Sequence, residues 1–252
     1  MTSELAVAGG GVAVGILFGL FGVGGSSFAT PVLSLLGVPP LFALASALPA
    51  TLPSAASGAL SYVRRKEMNW RVAWLSVAGG LPATTAGALL TRVVGGHWLL
   101  VASGVVLGVV GVRVLRPIAA KTAAEGTRRR SQVGLVVAAS AGVGLFTGLL
   151  ANGGGFLLVP LYLILLGMPM RTSSGTSLAV IAALSVPTLI THWALGDINW
   201  AVAGAFAVGS IPAAYVGGRL ADHVDGNRLR VAFGVLLVVF ALYFVARLLL
   251  KA

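Results

Sequence analysis

Apolar residues run in long blocks along this chain, and the breaks between blocks are short and polar. The blocks fall at about 5–21, 27–36, 41–63, 70–91 and 98–115, and again at about 132–150, 156–166, 172–195, 199–218 and 229–250. They are apolar on all sides, without the apolar–polar alternation of membrane strands, which predicts helices surrounded by lipid or protein. Several reach the roughly 20 residues that a membrane-crossing helix needs, whereas 27–36 and 156–166 fall well short. A polar stretch starting at Arg116, R-P-I-A-A-K-T-A-A-E-G-T-R-R-R, divides the two sets. The expected organisation is a first transmembrane repeat over 1–115, a linker over 116–131 and a second repeat over 132–252.

The two sets repeat one another. Gly19–Pro31 reads G-L-F-G-V-G-G-S-S-F-A-T-P and Gly148–Pro160 reads G-L-L-A-N-G-G-G-F-L-L-V-P, aligned without a gap at an offset of 129. One inserted residue then makes the offset 130. Gly37 and Pro39 match Gly167 and Pro169, Ser46 and Leu48 match Thr176 and Leu178, and Glu67, Asn69 and Trp70 match Asp197, Asn199 and Trp200. Pro82 and Gly87 match Pro212 and Gly217 in the same register. Apolar helices of low complexity produce chance matches of Ala, Leu and Val; they do not readily produce N-W-x-V-A twice after an acidic residue at the same spacing. Glycine runs interrupting apolar segments at matching points of two halves point to a transport site at a repeat interface.

Composition narrows the class. Hydrophobic residues make up 58% of the chain and charged residues 9%, against about 25% charged in soluble domains, so the chain cannot cover itself with polar surface. The formal net charge of +11 would suggest nucleic acid in a soluble protein. Here the basic residues sit in short loops, and the positive-inside rule accounts for them, so nucleic acid is not an expected partner. Cysteine is absent, which removes disulfides, thiolate metal sites and thiol nucleophiles. The N-terminal M-T-S-E-L lacks the basic region of a cleavable signal, so the first apolar block is expected to stay.

Charge also sets orientation. The first 63 residues contain no Lys or Arg, whereas Arg64, Arg65, Lys66 and Arg71 cluster at one loop and Arg116 to Arg130 mark the linker. In the second half the loop at Asp197 has no basic residue, and Arg219, Arg228 and Arg230 surround the next. Equivalent loops therefore fall on opposite sides, which predicts inverted repeats with both termini outside and the linker cytoplasmic. Only Arg92, Arg247 and Lys251 then lie outside; a parallel arrangement strands more. Inversion needs an odd number of crossings per half, so blocks 5–21 and 27–36 should form a hairpin turning at Gly22–Ser27, the alternative being one kinked helix.

The turns carry the candidate chemistry. The first amides of a helix lack intrahelical acceptors and present partial positive charge, and glycine admits a ligand close to that backbone. Gly24, Gly25, Ser26 and Ser27 in one half, and Asn152, Gly153, Gly154 and Gly155 in the other, are the expected anion site, near the membrane midplane; the alternative is close helix packing through small residues. Ser46, Thr176 and Ser177 open the following segments with hydroxyls that can donate to an oxyanion, or bond between helices. Arg171 either recruits anions or marks the cytoplasmic surface. No Asp, Glu, Lys or Arg sits in the middle of a block, which argues against a cation pathway or carboxylate relay. Glu67 and Asp197 read as helix caps. His192, near a segment end, is the one imidazole placed for proton coupling. No metal site or cofactor is expected. An enzyme is not expected either: G-V-G-G-S-S lacks the lysine of a phosphate-binding loop, and nothing fixes Ser26 beside His192.

G-L-F-G-V-G-G at Gly19–Gly25, the matched Pro31 and Pro160, and S-G-T-S-L-A-V-I at Ser174–Ile181 after the N-G-G-G turn, taken with the repeat, resemble the TauE/SafE family of sulfite and organosulfonate exporters. The similarity covers the chain outside the linker. It implies a prokaryotic inner-membrane protein of about eight spans that moves small sulfur-containing anions, mostly outward. The first half departs from the pattern, with G-G-S-S where the second has G-G-G-F and A-S-A-L where the second has G-T-S-L, so the two halves are expected to contact substrate unequally.

The expected protein is thus an all-α polytopic membrane protein with two inverted repeats, each a re-entrant hairpin plus three spanning helices. Its expected function is secondary transport of a sulfur-containing anion by alternating access, with a passive anion channel, a carrier of non-sulfur organic anions or a non-transporting scaffold as alternatives. The expected partners are the anion and the bilayer, with a homodimer left open.

Overall fold

The computed structural model describes residues 4–90, 108–116, 128–149, 155–194 and 196–249, and these form helices joined by short turns, with no strand among them. The first half contains α1 (Glu4–Phe21), α2 (Gly25–Leu35), α3 (Pro40–Ala45), α4 (Leu48–Arg64), α5 (Trp70–Leu90) and α6, described over 108–115. The second contains α7 (Arg128–Leu149), α8 (Gly155–Leu165), α9 (Met170–Ala194), α10 (Trp200–His223) and α11 (Gly226–Leu249). The block boundaries read from sequence hold closely. Three differ: α7 already begins at Arg128, so the end of the expected linker is helical, α10 runs on to His223, five residues past the block read as 199–218, and the block at 41–63 is split at Ser46–Ala47; the block at 98–115 is described only from residue 108. Pro49 sits at the second position of α4, where a proline favours the start of a new helix. Its ring crowds the carbonyl of Ala45 four residues back and it has no amide to give, whereas the equivalent position in the uninterrupted α9 is Ala179.

A hairpin forms where the first glycine run predicts one. Helix α1 stops at Phe21 because Gly22 takes a left-handed conformation, φ 69°, and α2 starts after Gly24. The return is antiparallel, since Gly10 of α1 faces the side chains of Val32 and Leu36 at the far end of α2. The single kinked helix is therefore excluded in this half. In the second half the turn at 150–154 lies outside the described residues. There α8 folds back beside α7 and α5 through buried hydroxyls: Tyr162 Oη and Ser140 Oγ each donate to Ser76 Oγ, at 2.9 and 3.0 Å.

Glycine zips the two halves together. Along α1, Gly11, Gly15 and Gly19 face the backbone of Phe206, Ser210 and Ala214 in α10, so the helices run parallel at close approach. Shifting by the repeat offsets gives the same contact between α7 and α5: Gly79 faces Val137, Gly144 faces Gly80 and Gly87 faces Leu145. Gly209 against Ala8 and Gly217 against Ile16 complete the correspondence. Without a hydrophobic drive between helices in lipid, such small-residue contacts are what hold helices together.

Helices α4 and α9, equivalent by the offset of 130, cross the centre in opposite directions. Tyr62 near the end of α4 packs on Gly175 near the start of α9. At the other end of the pair, Ser46 meets Asn199, which follows α9. Phe18, Tyr62, Leu178, Ile181 and Leu184 make the interior between α1, α4 and α9. The rings Phe21–Phe233 and Phe28–Phe240, with centroids 5.6 and 4.6 Å apart, seat the hairpin on α11. Helices α1, α9 and α10 are long and apolar enough to cross a membrane, and Val133–Leu149 and Phe156–Leu165 are shorter apolar helices. Exposed Trp70 and Trp74 mark one end of the bundle and exposed Trp193 and Trp200 the other, the placement typical of interfacial aromatic belts.

Candidate functional site

The turn between α1 and α2 is built from the end of one helix and the start of the next. The last carbonyls of α1 have no helical donor of their own, and hydroxyls from other helices supply one. Ser174 Oγ donates to the Phe21 carbonyl at 2.9 Å and Ser177 Oγ to the Gly22 carbonyl at 2.8 Å. Tyr62 Oη lies 3.0 Å from both the Gly19 and Leu20 carbonyls. A side chain at Gly22 would collide with the backbone of Ser174. Gly24 then caps α2 with no side chain over the amides that follow. These amides, at Gly25 to Ser27, begin a helix whose first turn has no internal acceptors for them. The Ser26 and Ser27 side chains, and Asn152, Gly153 and Gly154, lie outside what is described; Gly155 is the first residue of α8.

This turn lies beside the first two turns of α9 and the last turn of α4, which puts it towards one end of the bundle and not at the mid-depth expected from the sequence, because it is held by residues near the ends of both helices. That end is basic. Arg64 donates to Tyr215 Oη at 3.1 Å, and Arg219 lies over the same ring at 5.7 Å. Arg65 donates to the Gly218 carbonyl, Arg171 to the carbonyls of Asp222 and Val224, and Arg230 to that of Arg116. Arg171 therefore lies one helical turn from Ser174 and is tied to α10 in this conformation.

The hydroxyls named from sequence serve the scaffold here. Ser177 gives its one proton to Gly22. Thr176 gives its proton to the Thr172 carbonyl at 2.6 Å and accepts from the Asn69 amide at 3.0 Å. Ser46 accepts from the Asn199 amide at 2.9 Å, the same bond with the two halves exchanged. The asparagines in turn cap their helices: Asn69 Oδ1 accepts from Val72, and Asn199 Oδ1 from Ala201 and Val202. The capping role expected of Glu67 and Asp197 thus belongs to Asn69 and Asn199. Glu67 instead pairs with Arg65 at 2.9 Å, and Asp197 with His192 Nδ1 at 3.0 Å. His192 is 15 residues beyond Ser177 on α9, about 22 Å along the helix, so it does not touch the α1–α2 turn.

A separate cleft of about 220 Å³ opens between α5, α7 and the α8–α9 connection, lined by Asn69, Arg71, Val72, Leu75 and Met168 among others. None of the described site residues expected from sequence lines it. Among the described residues no group of His, Asp and Glu could hold a metal ion.

With hairpin, repeat and turn in view, comparison with known proteins assigns the chain. Residues 7–244 match the family described as "Sulfite exporter TauE/SafE". The chain belongs to this family. Among its relatives is a "Probable membrane transporter protein" of Xylella fastidiosa (strain Temecula1 / ATCC 700964), 28% identical, with 97% of this chain and 96% of the relative aligned. Two from Bacillus subtilis (strain 168), also named as probable membrane transporter proteins, are each 24% identical; the alignments cover 85% and 92% of this chain and 86% and 96% of theirs. No solved structure matches. A TauE/SafE member with these apolar helices is a multi-pass membrane protein of a transporter family. The motif that carries the resemblance also has its place in the geometry: S-G-T-S at Ser174–Ser177 is the part of α9 that holds the end of α1.

Proposed function

We propose that this protein is a secondary transporter that exports a small sulfur-containing anion, such as sulfite or an organosulfonate, by alternating access. The observation that carries the reading is the α1–α2 turn. A helix is broken by Gly22, its carbonyl end is fully engaged by Tyr62, Ser174 and Ser177, and the amide end of α2 opens beside it with a glycine cap. Such an end binds anions without a side-chain cation at depth, and a broken helix in each half is how many transporters build their site.

In this reading Gly24, Gly25, Ser26 and Ser27 bind the anion through backbone and hydroxyl donors, and Asn152 to Gly155 form the counterpart. Ser177 holds the α1–α2 turn, Ser46 and Thr176 brace the α9–α10 and α4–α5 connections and could turn to the anion as the site opens, and His192 with Asp197 is the candidate for proton coupling. The repeats are inverted across a prokaryotic inner membrane, with the basic end and the 116–131 linker cytoplasmic. The antiparallel course of α4 and α9 and the exchanged Ser46–Asn199 and Thr176–Asn69 bonds support inversion. The concentration of Arg64, Arg65, Arg171, Arg219 and Arg230 at one end supports the orientation.

Counterflow in proteoliposomes tests the function. Purified protein should give saturable uptake of labelled sulfite or a short organosulfonate, accelerated by unlabelled anion inside. Linear, current-carrying flux would identify a channel, and no flux with any sulfur oxyanion would refute the proposal.

A further inference from the structure

At the basic end four charges close into a ring that joins the two halves. Arg65 Nε lies 2.9 Å from Glu67 Oε2 and 3.7 Å from Asp222 Oδ1. Arg171 Nη1 lies 3.7 Å from Glu67 Oε1 and 3.7 Å from the same Asp222 oxygen. Each cation thus touches both carboxylates, and the signs alternate around the ring. Arg65 and Glu67 belong to the first half, Arg171 and Asp222 to the second. Two of the four contacts therefore cross between halves, as does the bond from Arg65 to the Gly218 carbonyl at 3.0 Å.

The ring reaches the anion turn directly. The Arg65 guanidinium lies over the Tyr62 ring at 4.8 Å, and Tyr62 Oη holds the last carbonyls of α1. Arg171 stands one turn before Ser174, which holds the Phe21 carbonyl. One member is imperfectly satisfied: Arg171 Nε is buried without a hydrogen-bond partner, which costs free energy in this conformation and favours leaving it.

Among the described residues the opposite end has no such ring. The offset of 130 places Leu195 where Arg65 would be and Leu41 where Arg171 would be. The pair found there, His192–Asp197, lies within one half. The duplication therefore kept the scaffold bonds at both ends and the inter-half charges at one.

We propose that Arg65, Glu67, Arg171 and Asp222 form an ionic gate that closes the basic end of the protein over the α1–α2 turn. It rests on the reading of that turn as the anion site of a transporter. Side chains in the ring are 20–46% exposed, so each pair alone is weak. The cooperating set biases the halves towards closure at this end and remains easy to open. Opening frees Arg65 from Tyr62 and Arg171 from α10, which unlocks the turn and presents two guanidinium groups to an arriving anion.

The absence of native cysteine makes the test clean. Ser173, buried two residues past Arg171 at the basic end, and Ala203, buried near the opposite end, are replaced singly by cysteine. Labelling by a charged maleimide is then followed in nanodiscs, where both faces are accessible. Combining Glu67→Gln with Asp222→Asn should speed labelling of Ser173→Cys roughly tenfold and leave that of Ala203→Cys no faster. Raising the salt from about 0.1 M to about 1 M, which cuts the screening length from about 10 Å to about 3 Å, should do the same with the ring intact and little once it is removed. Unchanged labelling of Ser173→Cys under both treatments, or a parallel rise at both sites, would overturn the gate. Because labelling needs no substrate, a failed gate leaves sulfite counterflow standing, and absent counterflow leaves the labelling result standing.

Discussion

Lys66 and Gly196 occupy the same place in the two halves, just past α4 and α9, and both adopt positive φ, 58° and 72°. Glycine takes this conformation freely; a residue with a Cβ pays roughly 1–2 kcal/mol for it. The Lys66 and Glu67 amides donate back to Val63 and Tyr62, closing the end of α4. Lys66→Gly should therefore raise stability by about 0.5–1 kcal/mol, the usual gain set against the greater freedom of the unfolded chain. Thermal unfolding in detergent would read this as a higher midpoint; a lower one would mean that the lysine makes a contact worth more than the strain. Retention of a lysine at this cost fits the same basic end as Arg64 and Arg65, where, in the proposed orientation, positive charge holds the cytoplasmic face.

Among the elements, the α1–α2 hairpin was legible from sequence because a ten-residue apolar block cannot span and glycines mark the turn. The repeated N-W was equally legible as a motif, but its job was not. Asn69 and Asn199 cap α5 and α10 while Thr176 and Ser46 of the opposite half hold their amides, a contact over more than 100 residues that no local pattern announces. The charge ring escaped for the same reason: Asp222 carries no local signature and meets Arg65 only once α10 lies along α1 and α4. The division of 41–63 into α3 and α4 had a signal in Pro49, which general hydrophobicity overrode. Pro49→Ala restores the amide and removes the ring crowding the Ala45 carbonyl. It should fuse α3 and α4 into one helix like α9 and slow amide exchange at Ser46–Ala50 about tenfold, the factor of roughly one added hydrogen bond. Unchanged exchange would place the cause of the break in the surrounding packing.

At the scale of the molecule, the halves are held by two kinds of contact with different consequences. The glycine zippers of α1 with α10 and of α5 with α7 are matched and close, and make two tightly packed pairs that each combine both halves. The central α4–α9 crossing joins the pairs, α4 packing on α10 and α9 on α5, and the polar ring ties the ends of α4 and α9 to α10. In the proposed mechanism, rocking of one pair against the other about α4 and α9 would alternate access to the α1–α2 turn while sparing the zippers. The central claim is that the anion is held by the amides that begin α2. Gly25→Val tests it most directly, because a β-branched side chain there blocks close approach to that backbone while leaving the hydroxyl brackets of Tyr62, Ser174 and Ser177 in place. Sulfite counterflow in proteoliposomes should be lost in Gly25→Val, with the thermal midpoint of the purified protein within a few degrees of the parent. Counterflow at the parent rate in a properly folded Gly25→Val protein would contradict the account and return the glycine to a packing role.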